Sequence, residues 1–306
     1  MTLAAAFSDL HVEYVDGVTE VEEKTLPPGG KEKGLSKEIL NSWRAHLNVL
    51  RRIVEQNLTS ALILEDDADW DLRIKSQMQD FARASRLLIQ PLPGTPDKFL
   101  DPTCPECAPG QKAENFEVGK HFTTDPTTSP YGDIDRWDLL WLGHCGIRFP
   151  RVSDEKVPLG RAVIPDDETV PEPQHIHAQY GNDDLVHEHP AHTRVVSRVR
   201  AGTCSLGYAV SQPGARRLLY ELGVHRLSDT FDISLRSICD GVDGRKLRTC
   251  LTVQPQLFQH HRPNEQAFTT NIRWSTRLNF PKLVDGETDY IDLFKDGEQR
   301  VDRESD

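Results

Sequence analysis

The chain has 306 residues, a formal net charge of −12, 37% hydrophobic residues and 27% charged ones, enough for one large α/β domain or two small ones. The acidic balance excludes binding through nucleic-acid phosphates, which needs a basic face, and offers no polybasic patch for a membrane surface. No apolar run reaches the length of a membrane-spanning helix, and Met1 to Phe7 lacks the basic and long apolar regions of a secretory signal peptide.

Thr2 to Leu10 reads as a short helix, and His11 to Val15 alternates like a strand stopped by Asp16-Gly17. Pro27 to Gly30 is a loop. Ser36 is a candidate N-cap for a long amphipathic helix in which Ile39, Trp43, Leu47, Leu50 and Val54 recur at helical spacing. The helix ends near Asn57, where the sequon Asn57-Leu58-Thr59 carries little weight because such triplets also arise by chance. Ala61-Leu62-Ile63-Leu64 then runs straight into Glu65-Asp66-Asp67, followed by Ala68, Asp69 and Trp70. An apolar run bounded by polar residues reads as a buried strand. Its acidic end falls at the carboxyl edge of a sheet, where open α/β sheets bind ligands. Clustered carboxylates repel unless a positive group lies between them, and a hard divalent cation such as Mn²⁺ or Mg²⁺ prefers oxygen ligands. A solvated acidic turn between strand and helix explains the same pattern equally well.

Ile74 to Leu88 reads as a helix. From Pro91 the chain turns Pro- and Thr-rich, which predicts an irregular insertion over about 91–136. It holds one CxxC, Cys104 to Cys107; zinc there would need ligands from elsewhere. Trp137 to Gly143 returns to a buried strand, and Pro150 to Arg194 is loop-like and rich in histidine. Val195–Val199 and Ser205–Ser211 read as strands, the second broken by Gln212-Pro213-Gly214 ahead of a helix through Ala215, Leu218, Leu219 and Leu222. Phe231 to Cys239 is a short helix. Leu251 to Pro255 is a last strand, running on through Phe258 to Pro263, and the tail over about 295–306 reads as loose. Alternating strands and helices predict an α/β fold with a mainly parallel mixed sheet flanked by helices, in a single domain over 1–306. Six cysteines in this length are not a disulfide scaffold. Cys239 and Cys250 flank a turn-rich segment and fit either a bridge in an oxidising compartment or two thiols in a reducing one.

Taken in order, Ser42 to Leu47, Ala61 to Trp70, Trp137 to Gly146, Cys204 to Leu219 and Cys250 to Pro263 make the chain resemble glycosyltransferase family 25, the lipopolysaccharide-type and procollagen-galactosyltransferase type, its fungal branch most of all. The resemblance covers roughly Leu3 to Leu293. It implies a GT-A-like nucleotide-sugar-binding fold and inverting transfer of a hexose, mainly galactose, from a UDP-sugar donor to a hydroxyl of a glycan or glycoprotein acceptor. Mn²⁺ (or Mg²⁺) is the implied cofactor. Glu65, Asp66 and Asp67 occupy the position of the family's metal-binding acidic motif. Asp67 is then the direct metal ligand, with Glu65 beside it, and Glu65 or Asp66 holds the ribose or a metal-bound water. His260 or His261 would add a late metal ligand; neighbours on an extended segment point to opposite faces, so one of them serves, and His260 is taken. Asp232 resembles an acceptor-side position and is the candidate general base, with Asp229 as competitor; capping of a helix N-terminus explains either residue as well. The family's Cys-x-x-Ser-His pattern keeps only its histidine, His46, with Ser42 and Ala45 in place of the cysteine and serine; a packing role fits His46 better than a catalytic one. Tyr208 and Trp141 read as core residues before stacking platforms.

The chain departs from the family at its start. Relatives begin with a hydrophobic strand that lies centrally in the nucleotide-binding sheet, and this chain starts inside the following helix. The compartment is therefore left open: secretory pathway if an upstream anchor is missing, otherwise cytoplasmic. A catalytically inactive relative that binds sugar or a partner protein is the alternative. A third reading is a metal-dependent hydrolase using the acidic cluster with His175, His177, His187 and His189.

Overall fold

The structure, a computed structural model, describes residues 1–177, 183–261 and 270–298. Its centre is a seven-stranded sheet. In chain order its strands are β1 (Ser60–Leu64), β5 (Asn115–Glu117), β6 (Leu139–Gly143), β7 (Arg161–Ile164), β8 (Arg194–Arg198), β9 (Gly207–Ser211) and β10 (Cys250–Gln254), arranged β1-β9-β6-β10-β8-β7-β5. Two antiparallel two-stranded pairs lie outside it: β2 (Ala68–Trp70) with β11 (Phe258–His260), and β3 (Pro91–Leu92) with β4 (Thr95–Phe99).

The α/β class and the mixed sheet hold, but the expectation of a mainly parallel sheet needs correction. Five strands share one direction; β8 and β9 run the other way. Because these two are inserted between co-directional strands, four of the six pairings are antiparallel and only β6/β10 and β5/β7 are parallel. Alternation of strand and helix does not settle direction here: β9 and β10 are joined through the helices Gln212–Tyr220 and Phe231–Asp240, the pattern expected of parallel neighbours, yet they run opposite ways with β6 between them.

The α-helices of the described residues are α1 (Thr2–Phe7), α2 (Lys37–Glu55), α3 (Ile74–Ile89), α4 (Asp184–Glu188), α5 (Gln212–Tyr220), α6 (Phe231–Asp240) and α7 (Phe280–Asp285). Ser36 caps α2 as expected, its Oγ accepting from the Ile39 N–H. Ser211 does the same for α5, accepting from Gly214, with Pro213 in the first turn where its missing N–H costs nothing. Successive strand residues point to opposite faces, and the two cores divide accordingly. Trp43, Leu47, Leu50 and Ile53 of α2 meet Leu139, Trp141, Tyr208 and Val210 on one face, together with α5 and α6. Phe81, Ala84, Leu87 and Leu88 of α3 meet Leu140, Leu142, Ala209, Leu251 and Val253 on the other. Cover on both faces explains why β6, β9 and β10 are buried throughout and read as unbroken apolar runs.

β1 departs from that pattern. It was expected to be buried, yet it is an edge strand: Ile63 is buried while Leu62 is 41% exposed. An apolar run fixes a strand, not its place in the sheet. His11 to Val15 does not form a strand; it is held by the Tyr14 hydroxyl against the Thr2 hydroxyl and by an ion pair of Glu13 with Arg52. The 91–136 insertion carries β3, β4 and β5, and the last of these joins the sheet. Its irregular part is tied by Asp133, which accepts from the backbone and hydroxyls of Thr127 and Thr128 and from Gln90. Pro150 to Arg194 likewise holds β7 and α4 within its loops. In the tail Phe294 is buried and Asp296 pairs with Arg273; residues 299–306 lie outside the described part. No helix of the described residues is long and apolar enough to cross a membrane.

Asp154 ties the loop after β6 to the end of β8. Its carboxylate is bidentate on Arg148, accepts from the Arg151 backbone, and meets Arg200 at 3.1 Å. Burial raises its pKa, but these donors outweigh burial and bring it to about 2, below the ordinary 3.8. A depressed carboxylate stabilises the fold fully above its unfolded pKa, and the contribution is lost as pH falls from about 4 towards 2. Asp154→Ala is expected to lower unfolding free energy at pH 7 by about 3 kcal/mol, since it strands two arginines. The gap from wild type should narrow as pH falls below about 4 and close near pH 2, as urea titrations across that range will test.

Candidate functional site

β1, β6 and β10 end at one edge of the sheet, and antiparallel β9 begins there. That edge gathers Glu65 to Asp67 after β1, His144 and Cys145 after β6, Gln254 at the end of β10, and Cys204 and Ser205 ahead of β9. Two glycines shape it. Gly143 and Gly207 face each other across β6 and β9, and Phe258 lies over both. A Cβ on Gly143 would stand 2.8 Å from the Gly207 nitrogen and 2.9 Å from the Phe258 Cβ. With neither Cβ present, Phe258 passes and β11 pairs with β2, His260 opposite Ala68. His260 is thereby delivered to Asp67.

The acidic residues separate into different partnerships. Glu65 accepts from the Ser205 hydroxyl at 2.8 Å and lies 3.6 Å from His46 Nε2. The other His46 nitrogen meets the Tyr208 hydroxyl at 2.9 Å, and the ring stacks on Phe231 at 4.1 Å. Burial raises the Glu65 pKa, but the bonds from His46 and Ser205 prevail and hold it below the usual carboxylate value. Tyr208 is fully buried, and burial with the nearby Glu65 charge pushes its hydroxyl well above the usual range. Asp67 meets His260 Nδ1 through Oδ2 at 2.9 Å. That bond, ahead of burial, holds the Asp67 pKa down, and Arg277 adds to the effect. The other oxygen, Asp67 Oδ1, is buried with no hydrogen-bond partner. His260 Nε2 lies 3.7 Å from Cys145 Sγ, and Cys145 is bridged to Cys204. Asp66 is exposed, and its carbonyl accepts from Arg277 at 2.7 Å. Asp69 is fully buried and structural, accepting from Trp70, Arg277 and Ser275.

Of the residues singled out in the sequence, Asp67 and His260 come together, whereas Glu65 turns to Ser205 and His46. Glu65, Asp67 and His260 therefore do not form one tight ligand group. Among the described residues the groups with mutually close donor atoms are Cys145, Cys204 and His260, and Glu172, His192 and Asp296; the sulfurs of the first are held in the disulfide. His261 approaches Asp69 instead, at 3.8 Å, as opposite-facing neighbours should. Arg262 and Pro263 lie outside the described residues.

Asp232 is linked to the edge through backbone: Oδ2 accepts from the Cys204 N–H at 2.9 Å and Oδ1 from the Thr230 hydroxyl. It braces the disulfide segment against α6. Asp229 faces Lys33 and the Thr230 N–H. Cys239 and Cys250 form a disulfide, while Cys104 and Cys107 are free thiols. The four histidines of the hydrolase reading are not gathered. His175 stacks near Phe294, His177 bonds Asn271 through its backbone, His187 pairs with exposed Asp183, and His189 packs on Phe149. Trp141 and Tyr208 are both fully buried in the core.

Sequence reasoning missed Ser205, Arg277 and the Cys145–Cys204 bridge. Cys204 directly precedes Ser205 at the start of a strand, which marks the spot without revealing its partners; Arg277 carried no signal. No family model matches the chain, and no curated protein matches it.

Gly143→Ala is expected to displace Phe258 and cost about 1–3 kcal/mol of stability through overpacking against backbone. Gly17→Ala, with nothing near its added Cβ, should stay within about 0.5 kcal/mol of wild type. Urea unfolding of the two variants side by side tests this.

Proposed function

We propose that the chain is a metal-assisted glycosyltransferase that moves a hexose, galactose foremost, from a UDP-linked donor to a hydroxyl of a glycan or protein-linked acceptor, with inversion. The observation that carries the reading is Asp67 at the carboxyl edge, paired with His260 and left with a buried, unpartnered carboxylate oxygen. A carboxylate oxygen can only accept, so its missing partner is a donor or a cation. The Asp67 carboxylate is the oxygen ligand that Mn²⁺ or Mg²⁺ prefers, and a further imidazole ligand from His260 would favour Mn²⁺ of the two. When bound, such an ion would neutralise charge developing on the departing diphosphate. Arg277, beside Asp66 and Asp67, would add a fixed positive charge for the same phosphates. Glu65, kept ionised by Ser205 and His46, is an acceptor for a ribose hydroxyl or a bound water. Removal of the acceptor proton falls to Asp232, which must then exchange the Thr230 hydroxyl for that of the acceptor. Two disulfides fit an oxidising compartment.

One observation favours the second reading, an inactive relative that binds sugar or protein: Glu65 is turned away from Asp67 and His260. Release of UDP from UDP-galactose in Mn²⁺ separates the two. Turnover is expected in wild type, with a loss of about a hundredfold or more in Asp67→Ala. Asp232→Asn can still accept from Cys204 and is expected to fold; if Asp232 is the base, its rate should also fall about a hundredfold. A folded wild type with no turnover of UDP-galactose or UDP-glucose favours the binding module.

A further inference from the structure

A second polar feature of the same edge is not used by the donor chemistry. His144, after β6, and Gln254, at the end of β10, are 5% and 7% exposed, and both line a pocket that also touches Cys145, Ile147, Ile176 and Asn271. Each carries a buried polar atom with no partner: His144 Nδ1 and Gln254 Nε2. Other buried polar atoms of the described residues also lack partners, and these two stand out because both residues line one pocket; an unmade bond of this kind costs about 1–3 kcal/mol. Asn271 is already committed, accepting from the His177 N–H and reaching Gln256.

The chemistry of the two atoms narrows what they bind. His144 Nε2 meets the Val253 carbonyl at 2.9 Å, so that nitrogen carries the proton and Nδ1 is a bare acceptor. Burial pushes the imidazole pKa down to about 4, so the ring is neutral at physiological pH. Gln254 Nε2 is a donor. A hydroxyl is a small group that both donates and accepts at one oxygen. Anionic groups do not fit, because no lysine or arginine is among the described residues lining the pocket and an acceptor-only oxygen would meet the His144 lone pair. Ile147 and Ile176 supply apolar wall for the C–H face of a sugar ring.

We propose that this pocket is a hydroxyl-recognition subsite for a neutral sugar, its anchoring hydroxyl donating to His144 Nδ1 and accepting from Gln254 Nε2. Cys145 connects it to the Asp67–His260 pair, since it lines the pocket and its sulfur lies 3.7 Å from His260. Taking that sugar as the acceptor rests on the glycosyltransfer reading, and free-sugar binding that survives loss of the cation site is what separates it from the donor's hexose.

The test is saturation-transfer NMR and calorimetry with methyl β-galactoside and lactose as probes. Wild type is expected to bind, and His144→Phe and Gln254→Leu each to weaken binding about tenfold by leaving the hydroxyl half-paired. Should His144→Phe fail to fold, Gln254→Leu carries the test alone. Asp67→Ala is expected to keep sugar binding while losing Mn²⁺-dependent UDP binding, so donor site and subsite fail separately. Absence of sugar binding by the folded chain, with only water in the pocket, overturns the proposal. So does binding that both variants leave unchanged.

Discussion

Phe258 is fully buried with its Cβ over Gly143 and Gly207, where two strands leave space only because neither residue has a side chain. The passage of one aromatic residue across the end of the sheet decides where β11 runs. β11 in turn pairs with β2, immediately beyond the acidic segment, and puts His260 against Asp67. The polar edge is thus assembled by packing. Residues nearly two hundred positions apart meet because an apolar anchor fixes the backbone between them.

Charge explains the rest of the edge. Glu65, Asp66, Asp67 and Asp69 crowd one turn of an already acidic chain, and carboxylates so close repel. The fold answers by giving them separate partners: Ser205 and His46 for Glu65, His260 and Arg277 for Asp67, and backbone donors with Ser275 for Asp69. Among the described residues Asp67 Oδ1 is the one carboxylate oxygen left buried and unpartnered. The proposed cation site follows from that single unmet acceptor. The pocket at His144 and Gln254 follows from the same argument applied to neutral groups.

Much of this was legible in the sequence where one interaction dominates. The helical spacing of Trp43, Leu47 and Leu50 gives α2, and the unbroken apolar runs give β6, β9 and β10 because both faces of those strands are covered. Legibility fails where long-range pairing decides. The apolar run of β1 reads as a buried strand but sits at an edge, and β8 and β9 reverse direction for reasons no local pattern carries. The resemblance places Glu65 and Asp67 together at one metal, yet the strand has ended at Leu64. The chain turns there, with the Ala68 N–H on the Glu65 carbonyl, so strand periodicity no longer applies. Asp232 was recognised as a residue of interest, and its engagement with Cys204 could not be read from a segment 28 positions away.

Glycosyl transfer by this chain requires the edge at Asp67 to hold a divalent cation and a nucleoside diphosphate. Calorimetric titration of UDP into the wild-type chain, with and without Mn²⁺, tests it most directly. Binding that requires the metal and is weakened in His260→Ala is expected. A folded chain that binds no UDP in Mn²⁺, or binds it equally well without metal, would contradict it.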